Sequence, residues 1–229
     1  QSPKKINQTT RFVITTNVPP DTDYYNANTI EYPGVEPKFL VAAAPNGSEQ
    51  RYNFWRMVYD SNVTNLFYLE AYEEGAGRET FLPWKPGEAK DYGKMFINNK
   101  KAIINDRDAQ AVLEVLPEGC SNSIIVRLAQ PKVWSAKMSN DPDIRKVILH
   151  FVRLLKDEKG TCMVVCKTGL GHSCQFVLMH FLLYQLVTLK SRVTIPEILA
   201  KIRKQRDGAI QNVDQYLAIH LSILDYLRV

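Results

Sequence analysis

The sequence has little that points to a metal site, a membrane span or an unfolded chain. Only 4 of its 229 residues are cysteines, at positions 120, 162, 166 and 174, and their spacing is not that of metal ligands. The longest apolar run, Phe176 to Leu189, is interrupted by His180 and Gln185, which favours a buried helix over a membrane span. Repeats and low-complexity tracts are absent. We therefore expect one globular domain over residues 1–229, without a metal or cofactor.

A strong excess of charge is also lacking. The formal net charge of +5 favours acidic or phosphorylated protein partners only mildly, does not imply nucleic acid and does not indicate membrane contact. Three of the cysteines fall in one strand–loop–helix segment, where packing usually keeps thiols reduced, so we expect a cytoplasmic protein. The chain begins at Gln1 rather than methionine, as expected for a domain of a larger protein, which we place in the cytoplasm or at the cell cortex.

Hydrophobic patterns predict alternating strands and helices around a meandering sheet. The runs KFLVAAAP and TNLFYLEAY predict buried strands that flank a helix, SEQRYNFWRMVYDS, with a serine as its N-cap. Residues 93–130 contain the β-type runs KMFINNK, QAVLEVL and SIIVRLA. Asp141 followed by Pro142 predicts the start of a helix that ends before Gly160. Three later helices are predicted from His172 to about Lys190, from near Thr194, and from Asn212 to Leu227.

A glycine-bracketed loop follows the apolar run CMVV in TCMVVCKTGLGHSC, residues 161–174. A strand that leads through a tight turn into a helix N-terminus directs backbone N–H groups and the positive end of the helix dipole at one point, so such a loop binds anions. Cys166, at its first position, would be favoured as a thiolate nucleophile by the same field. The spacing is equally consistent with a buried cysteine at the end of a strand and glycines that only turn the chain.

The segment VVCKTGLGHS resembles the signature loop of the protein tyrosine phosphatases, in which His-Cys is followed by five residues, Arg, and Ser or Thr. Four more segments resemble family motifs in the same order, from Arg11 to about Tyr226: DYYNANTI, KFLVAAAP, NFWRMVYD and RKQRDGAIQNVDQYLAIH. The resemblance implies an α/β fold in which a twisted mixed β-sheet is flanked by helices. It also implies that Cys166 is the nucleophile, that Ser173 assists the leaving thiolate, and that Gln211 positions water. The residues implied in binding are Phe12, Lys167, Thr168, Gly169, Leu170, Gly171, His172 and Gln215.

The sequence departs from the family pattern where the chemistry is carried. His172 stands where the family arginine grips two phosphate oxygens, and an imidazole does not reproduce that bidentate geometry. Ala136 stands in place of the general-acid aspartate that follows Trp-Pro in the family. Val165 replaces the histidine before the nucleophile. Asp141 and Asp143 are candidates for a substitute acid, although Asp141 is better explained as a helix cap. These losses imply a degenerate member of the family, of the kind known in nematodes.

Three functions are consistent with this pattern. The first is an inactive or strongly impaired pseudophosphatase, a protein-binding scaffold or regulatory module that engages a tyrosine-containing or phosphotyrosine segment of a kinase or signalling partner. The alternative is a weak residual phosphatase that uses Cys166. The third places function on a basic surface, although charges at helical spacing more often form a solvated face. The residues of that surface would be Lys190, Arg192, Lys201, Arg203, Lys204 and Arg206.

Overall fold

The structure is a computed structural model that describes residues 6–72, 81–134, 140–155 and 157–228. The strands are β1 (Arg11–Val13), β2 (Tyr24–Ile30), β3 (Lys38–Ala43), β4 (Val63–Tyr68), β5 (Ala89–Tyr92), β6 (Met95–Ile104), β7 (Asp108–Pro117), β8 (Ile124–Pro131) and β9 (Thr161–Cys166). The helices are α1 (Ser48–Asp60), α2 (Pro142–Leu154), α3 (His172–Leu183), α4 (Ile195–Gln205) and α5 (Val213–Leu227).

All nine described strands form one sheet in the order β1-β2-β3-β9-β4-β8-β7-β6-β5. The central strands β3, β9, β4 and β8 are parallel to one another, and antiparallel strands extend the sheet on both sides. The predicted strand–helix–strand unit is confirmed as β3, α1 and β4, and the predicted meander as β6, β7 and β8. The carboxyl ends of β3, β9 and β4 therefore meet at one edge of the sheet.

Strand β9 contributes to the cores on both faces of the sheet, because successive side chains of a strand point to opposite faces. Cys162, Val164 and Cys166 pack in the core under α2, α3, α4 and α5. Met163 and Val165 pack in the other core, which α1 covers. The first part of the apolar run, residues 176–183, belongs to α3 and is buried, as predicted, whereas Val187 and Leu189 near the end of the run are exposed. Within the described ranges, no helix has the length and apolar character to cross a membrane.

Helix boundaries follow the predicted capping residues with two exceptions. The Asp141 side chain caps α2, the Asn212 side chain caps α5, and Thr194 forms a capping box at the start of α4. The predicted serine cap of α1 is wrong, because the helix begins at Ser48 itself and Gly47 is the N-cap, without a side-chain cap. The helix predicted to run to about Lys190 is regular only to Leu183 and continues as a π-helical turn, Tyr184–Thr188.

Candidate functional site

The glycine loop, residues 166–172, lies at the edge where the central parallel strands end. Ligands of open α/β sheets bind at this edge. Cys166 ends β9 and is only 2% exposed. Its carbonyl oxygen accepts hydrogen bonds from the N–H groups of Ala44, at 2.9 Å, and Gly169, at 3.2 Å. These bonds fix the first residue of the glycine loop against both β3 and the turn that follows.

The two glycines allow the loop to lie against neighbouring backbone and side chains. Gly169 has φ +65°, a left-handed conformation that side chains rarely adopt, and a Cβ there would lie 2.6 Å from backbone atoms of Ala42 and Ala43. A Cβ on Gly171 would lie 2.4 Å from Nε2 of Gln215. Gly169 therefore requires glycine for its conformation and its packing, whereas a side chain at position 171 would require the end of the Gln215 side chain to move.

A buried arginine, Arg206, is hydrogen-bonded to the glycine loop. Its guanidinium donates to the Gly169 carbonyl oxygen at 2.6 Å, to Oδ1 of Asn28 at 2.6 Å and to Oδ1 of Asn26 at 3.1 Å. The residue is 2% exposed. Sequence reasoning placed Arg206 in the proposed basic surface, and this placement is wrong. The guanidinium instead connects the loop to β2.

The other proposed members of the basic surface include two that also bind within the chain. The Lys201 ammonium donates to the Tyr32 hydroxyl at 3.0 Å and lies 4.2 Å from the centre of the Tyr32 ring. Arg203 donates to the carbonyl oxygens of Ala209, at 2.9 Å, and Ile210, at 3.2 Å. These contacts give structural explanations for residues that the third hypothesis assigned to a partner.

The predicted glutamines lie against the glycine loop. The Thr168 hydroxyl donates to Oε1 of Gln211 at 3.1 Å, and the Gln211 N–H donates to Oε1 of Gln215 at 2.8 Å. The Ile210 N–H donates to the Leu170 carbonyl oxygen at 3.0 Å. The structure thus brings together residues that are more than forty positions apart in the sequence, as the predicted binding set requires.

His172 is the first residue of α3 and accepts a hydrogen bond from the indole of Trp134. The Trp134 Nε1–H donates to Nδ1 of His172 at 3.0 Å, and the two rings meet edge to face with centroids 5.1 Å apart. An indole nitrogen only donates, so Nδ1 must be unprotonated and the proton of the neutral ring lies on Nε2. Burial lowers the pKa of His172, and the nearby Asp214 carboxylate opposes this effect only in part. The imidazole is therefore a neutral group.

Glu70, which the sequence analysis did not identify, reaches the glycine loop from the end of β4. Its Oε1 accepts a hydrogen bond from the Lys167 N–H at 3.1 Å. The first backbone N–H after Cys166 is therefore already bound to a carboxylate. Burial raises the pKa of Glu70, and its contacts with Lys167 act in the opposite direction. One feature of the sequence could have identified Glu70 as a residue near the glycine loop. It follows a buried strand, and the ends of parallel strands lie at the same edge of a sheet.

Two more amides of the glycine loop also donate within the chain. The Gly169 N–H donates to the Cys166 carbonyl oxygen, and the Leu170 N–H donates to the Thr168 hydroxyl at 3.3 Å. Together with the Lys167 N–H, three donors of the predicted anion site have acceptors in the protein itself. The glycine loop therefore offers an incoming anion fewer free backbone donors than the sequence pattern suggests.

The remaining predicted residues lie in different environments. Ser173 is fully buried, and its hydroxyl makes no hydrogen bond to the described part of the chain. Phe12, in β1, is half-buried and packs on the core that α1 covers. Val165 faces that same core, on the opposite side of the sheet from Cys166. Ala136 lies outside the described residues.

The two candidates for a substitute acid have local partners. The Asp141 carboxylate accepts hydrogen bonds from the N–H groups of Asp143, at 3.0 Å, and Ile144, at 3.2 Å. The Asp143 carboxylate pairs with the Lys146 ammonium at 2.8 Å, and this hydrogen bond lowers its pKa. A carboxyl that is held ionised is a poor proton donor. Both residues are thus explained by the start of α2.

Comparisons with known proteins relate the chain to one family. The family model described as "Protein-tyrosine phosphatase" matches residues 4–225. A Caenorhabditis elegans protein that bears the name of a tyrosine-protein phosphatase, C15H7.3, is 26% identical over 176 residues, which are 77% of this chain and 43% of that protein. The receptor-type tyrosine-protein phosphatase eta of Mus musculus is 25% identical over 90% of this chain and 17% of the receptor. The chain spans less than half the length of these two relatives.

A solved structure has the same fold. The crystal structure of the Trypanosoma cruzi protein tyrosine phosphatase TcPTP1 matches with a TM-score of 0.82 at 19% sequence identity, over 98% of this chain and 80% of that chain. The match confirms the expected α/β architecture of a twisted mixed sheet with flanking helices.

Proposed function

Because the chain belongs to the protein-tyrosine phosphatase family, we propose that its domain is a pseudophosphatase, a protein-binding module with little or no hydrolytic activity. The observation that carries the proposal is the neutral charge of the His172 imidazole. A neutral imidazole that accepts the Trp134 N–H stands where the family pattern has a charged guanidinium. It presents one N–H in place of a planar fork of donors.

The size of the expected defect supports binding over turnover. Loss of one donor to a developing oxyanion costs about 10²–10³-fold in rate. Loss of a general acid costs about 10²–10⁴-fold, and the sequence has Ala136 at that position. The two effects need not add, but either one makes efficient hydrolysis of a phosphotyrosine unfavourable.

The binding partner that we propose is a tyrosine-bearing segment of a kinase or another signalling protein. The support comes from the glycine loop, which is hydrogen-bonded to Arg206 through Gly169 and to Gln211 through Thr168. A cytoplasmic location, at the cell cortex as part of a larger protein, remains part of this proposal.

A residual phosphatase is the second candidate, and one observation favours it. Cys166 ends the central strand, and Thr168 of the same loop is hydrogen-bonded to Gln211. The nucleophile and the water-positioning glutamine of the family pattern are therefore attached to one loop. Any hydrolysis by this route depends on the Cys166 thiol.

An aryl phosphate assay separates the two candidates. We expect the wild-type domain to release phosphate from para-nitrophenyl phosphate no faster than a Cys166→Ser variant. A double variant, His172→Arg with Ala136→Asp, restores both missing groups and is expected to show Cys166-dependent release. His172→Gln is the matched control, since it removes the imidazole without adding a guanidinium. Cys166-dependent turnover by the wild type, at the rate of an ordinary family member, would refute the pseudophosphatase proposal.

A further inference from the structure

Glu70 places a negative charge at the site where the family pattern receives a phosphate. Its carboxylate is hydrogen-bonded to the Lys167 N–H, the amide that immediately follows Cys166. A phosphate held by the glycine loop would have to displace this carboxylate or share the amide with it. Two like charges at such separation disfavour each other strongly in a partly buried site.

The positive groups near the loop offset this charge only in part. The Arg206 guanidinium is buried and gives its hydrogen bonds to Gly169, Asn28 and Asn26. The Lys167 side chain is exposed, where water and salt screen its charge. His172 is neutral because Trp134 occupies Nδ1, and Asp214 adds a further acidic group near the imidazole.

We infer that the glycine loop selects an unphosphorylated tyrosine over a phosphotyrosine, and that the Glu70 carboxylate sets this preference. A carboxylate only accepts hydrogen bonds, and a phenol hydroxyl supplies the donor that it needs. A phosphotyrosine carries about −1.5 to −2 charges at pH 7 and supplies acceptor oxygens only. The inference rests on the proposed function, because it concerns what the same site binds.

The first test measures the affinity for inorganic phosphate in the wild type and in Glu70→Gln. Glutamine keeps an oxygen that can accept the Lys167 N–H, removes the charge and replaces the second oxygen with an NH₂ donor. We expect weak or no saturable binding to the wild type, and binding at least about 10-fold tighter to the variant, by calorimetry or by shifts of the loop amide resonances. Glu118→Gln removes the same charge at an exposed turn far along the chain and is expected to bind phosphate as the wild type does. Thermal unfolding of both variants checks that they remain folded.

The second test compares tyrosine-centred peptides, each in phosphorylated and unphosphorylated form, on the wild-type domain. Tighter binding of the unphosphorylated form, with a shift toward the phosphorylated form in Glu70→Gln, supports the inference. Equal binding of the two forms, or a wild-type preference for the phosphopeptides, overturns the inference and leaves the pseudophosphatase proposal standing. The inference is also overturned if the variant gains no affinity for inorganic phosphate. Phosphate release from the same peptides would instead refute the proposed function.

Discussion

At the scale of single residues, His172 determines both the charge and the proton distribution at the start of α3. Since Trp134 donates to Nδ1, protonation of the ring would put two N–H groups against each other and break the hydrogen bond. The neutral state is thus built into the packing of the two rings. An arginine at this position has no corresponding neutral form at physiological pH.

Acid should weaken the folded state through this residue. The pKa of His172 is lowered in the folded protein, mainly by burial, so the unfolded chain takes up a proton first. The stabilisation is complete above the unfolded value of about 6.5 and is lost as the pH falls below it. His180 contributes in the same direction, since burial lowers its pKa to about 4. We expect the free energy of unfolding, measured with urea, to fall between about pH 6.5 and pH 4.

A His172→Gln variant should show a shallower fall over the same range, because glutamine accepts the Trp134 N–H and does not titrate. His220→Gln, at an exposed histidine of α5, serves as the control. If His172→Gln has the same pH dependence as the wild type, then His172 is not a titrating group in this window.

At the scale of elements, the turn between β9 and α3 depends on close contact with β3. Gly169→Ala introduces two separate costs: a left-handed backbone for a residue with a side chain, and a Cβ 2.6 Å from the backbone of Ala42 and Ala43. Gly87→Ala isolates the first cost, since Gly87 has φ +75° and nothing within 4 Å of its Cβ position. We expect Gly87→Ala to cost about 1 kcal/mol and Gly169→Ala about 2 kcal/mol more, by urea unfolding. Equal costs would mean that the loop moves away from β3 easily.

Periodicity and capping residues were sufficient to predict most elements near the site. The α2 start at Asp141 and Pro142 is confirmed because its signal is contained within four residues of the chain. The cap of α1 was misassigned by one residue, since both Gly47 and Ser48 are suited to an N-cap position. The π-helical turn after Leu183 was not predictable from the apolar pattern, which continues through it.

The electrostatics of the site were less predictable than its elements. Glu70 and Arg206 reach the glycine loop from segments 97 and 37 residues away in the sequence. Charged residues at a strand end or after a helix usually face solvent, so their types alone gave no indication of burial. The hydrogen bond between Trp134 and His172 likewise depends on tertiary packing.

At the scale of the whole molecule, Arg206 joins three regions of the chain. It follows α4, binds the turn between β9 and α3, and reaches two asparagines of β2 near the edge of the sheet. Hydrogen bonds from a buried charged group contribute more than neutral ones, and their loss leaves the buried acceptors of Gly169 and Asn28 without this donor.

Arg206→Gln is therefore expected to destabilise the fold by about 3 kcal/mol, because one amide cannot supply all three acceptors. Arg203→Gln is the matched control. Arg203 lies in the last turn of α4, close to Arg206 in the sequence, is exposed, and donates to two carbonyl oxygens. We expect the control to cost less than about 1 kcal/mol. Urea unfolding measures both, and equal losses would contradict a supporting role for the buried guanidinium.

Different residues support the backbone of the glycine loop and determine its chemistry. The Arg206 guanidinium is hydrogen-bonded to the Gly169 carbonyl oxygen, whereas His172, which stands where the family pattern has arginine, accepts a hydrogen bond from Trp134. A substitution at His172 can therefore change the chemistry of the glycine loop without removing the hydrogen bond between Arg206 and Gly169. A family member that lost catalysis through substitutions such as those at positions 136 and 172 would still inherit a loop surface available for recognition.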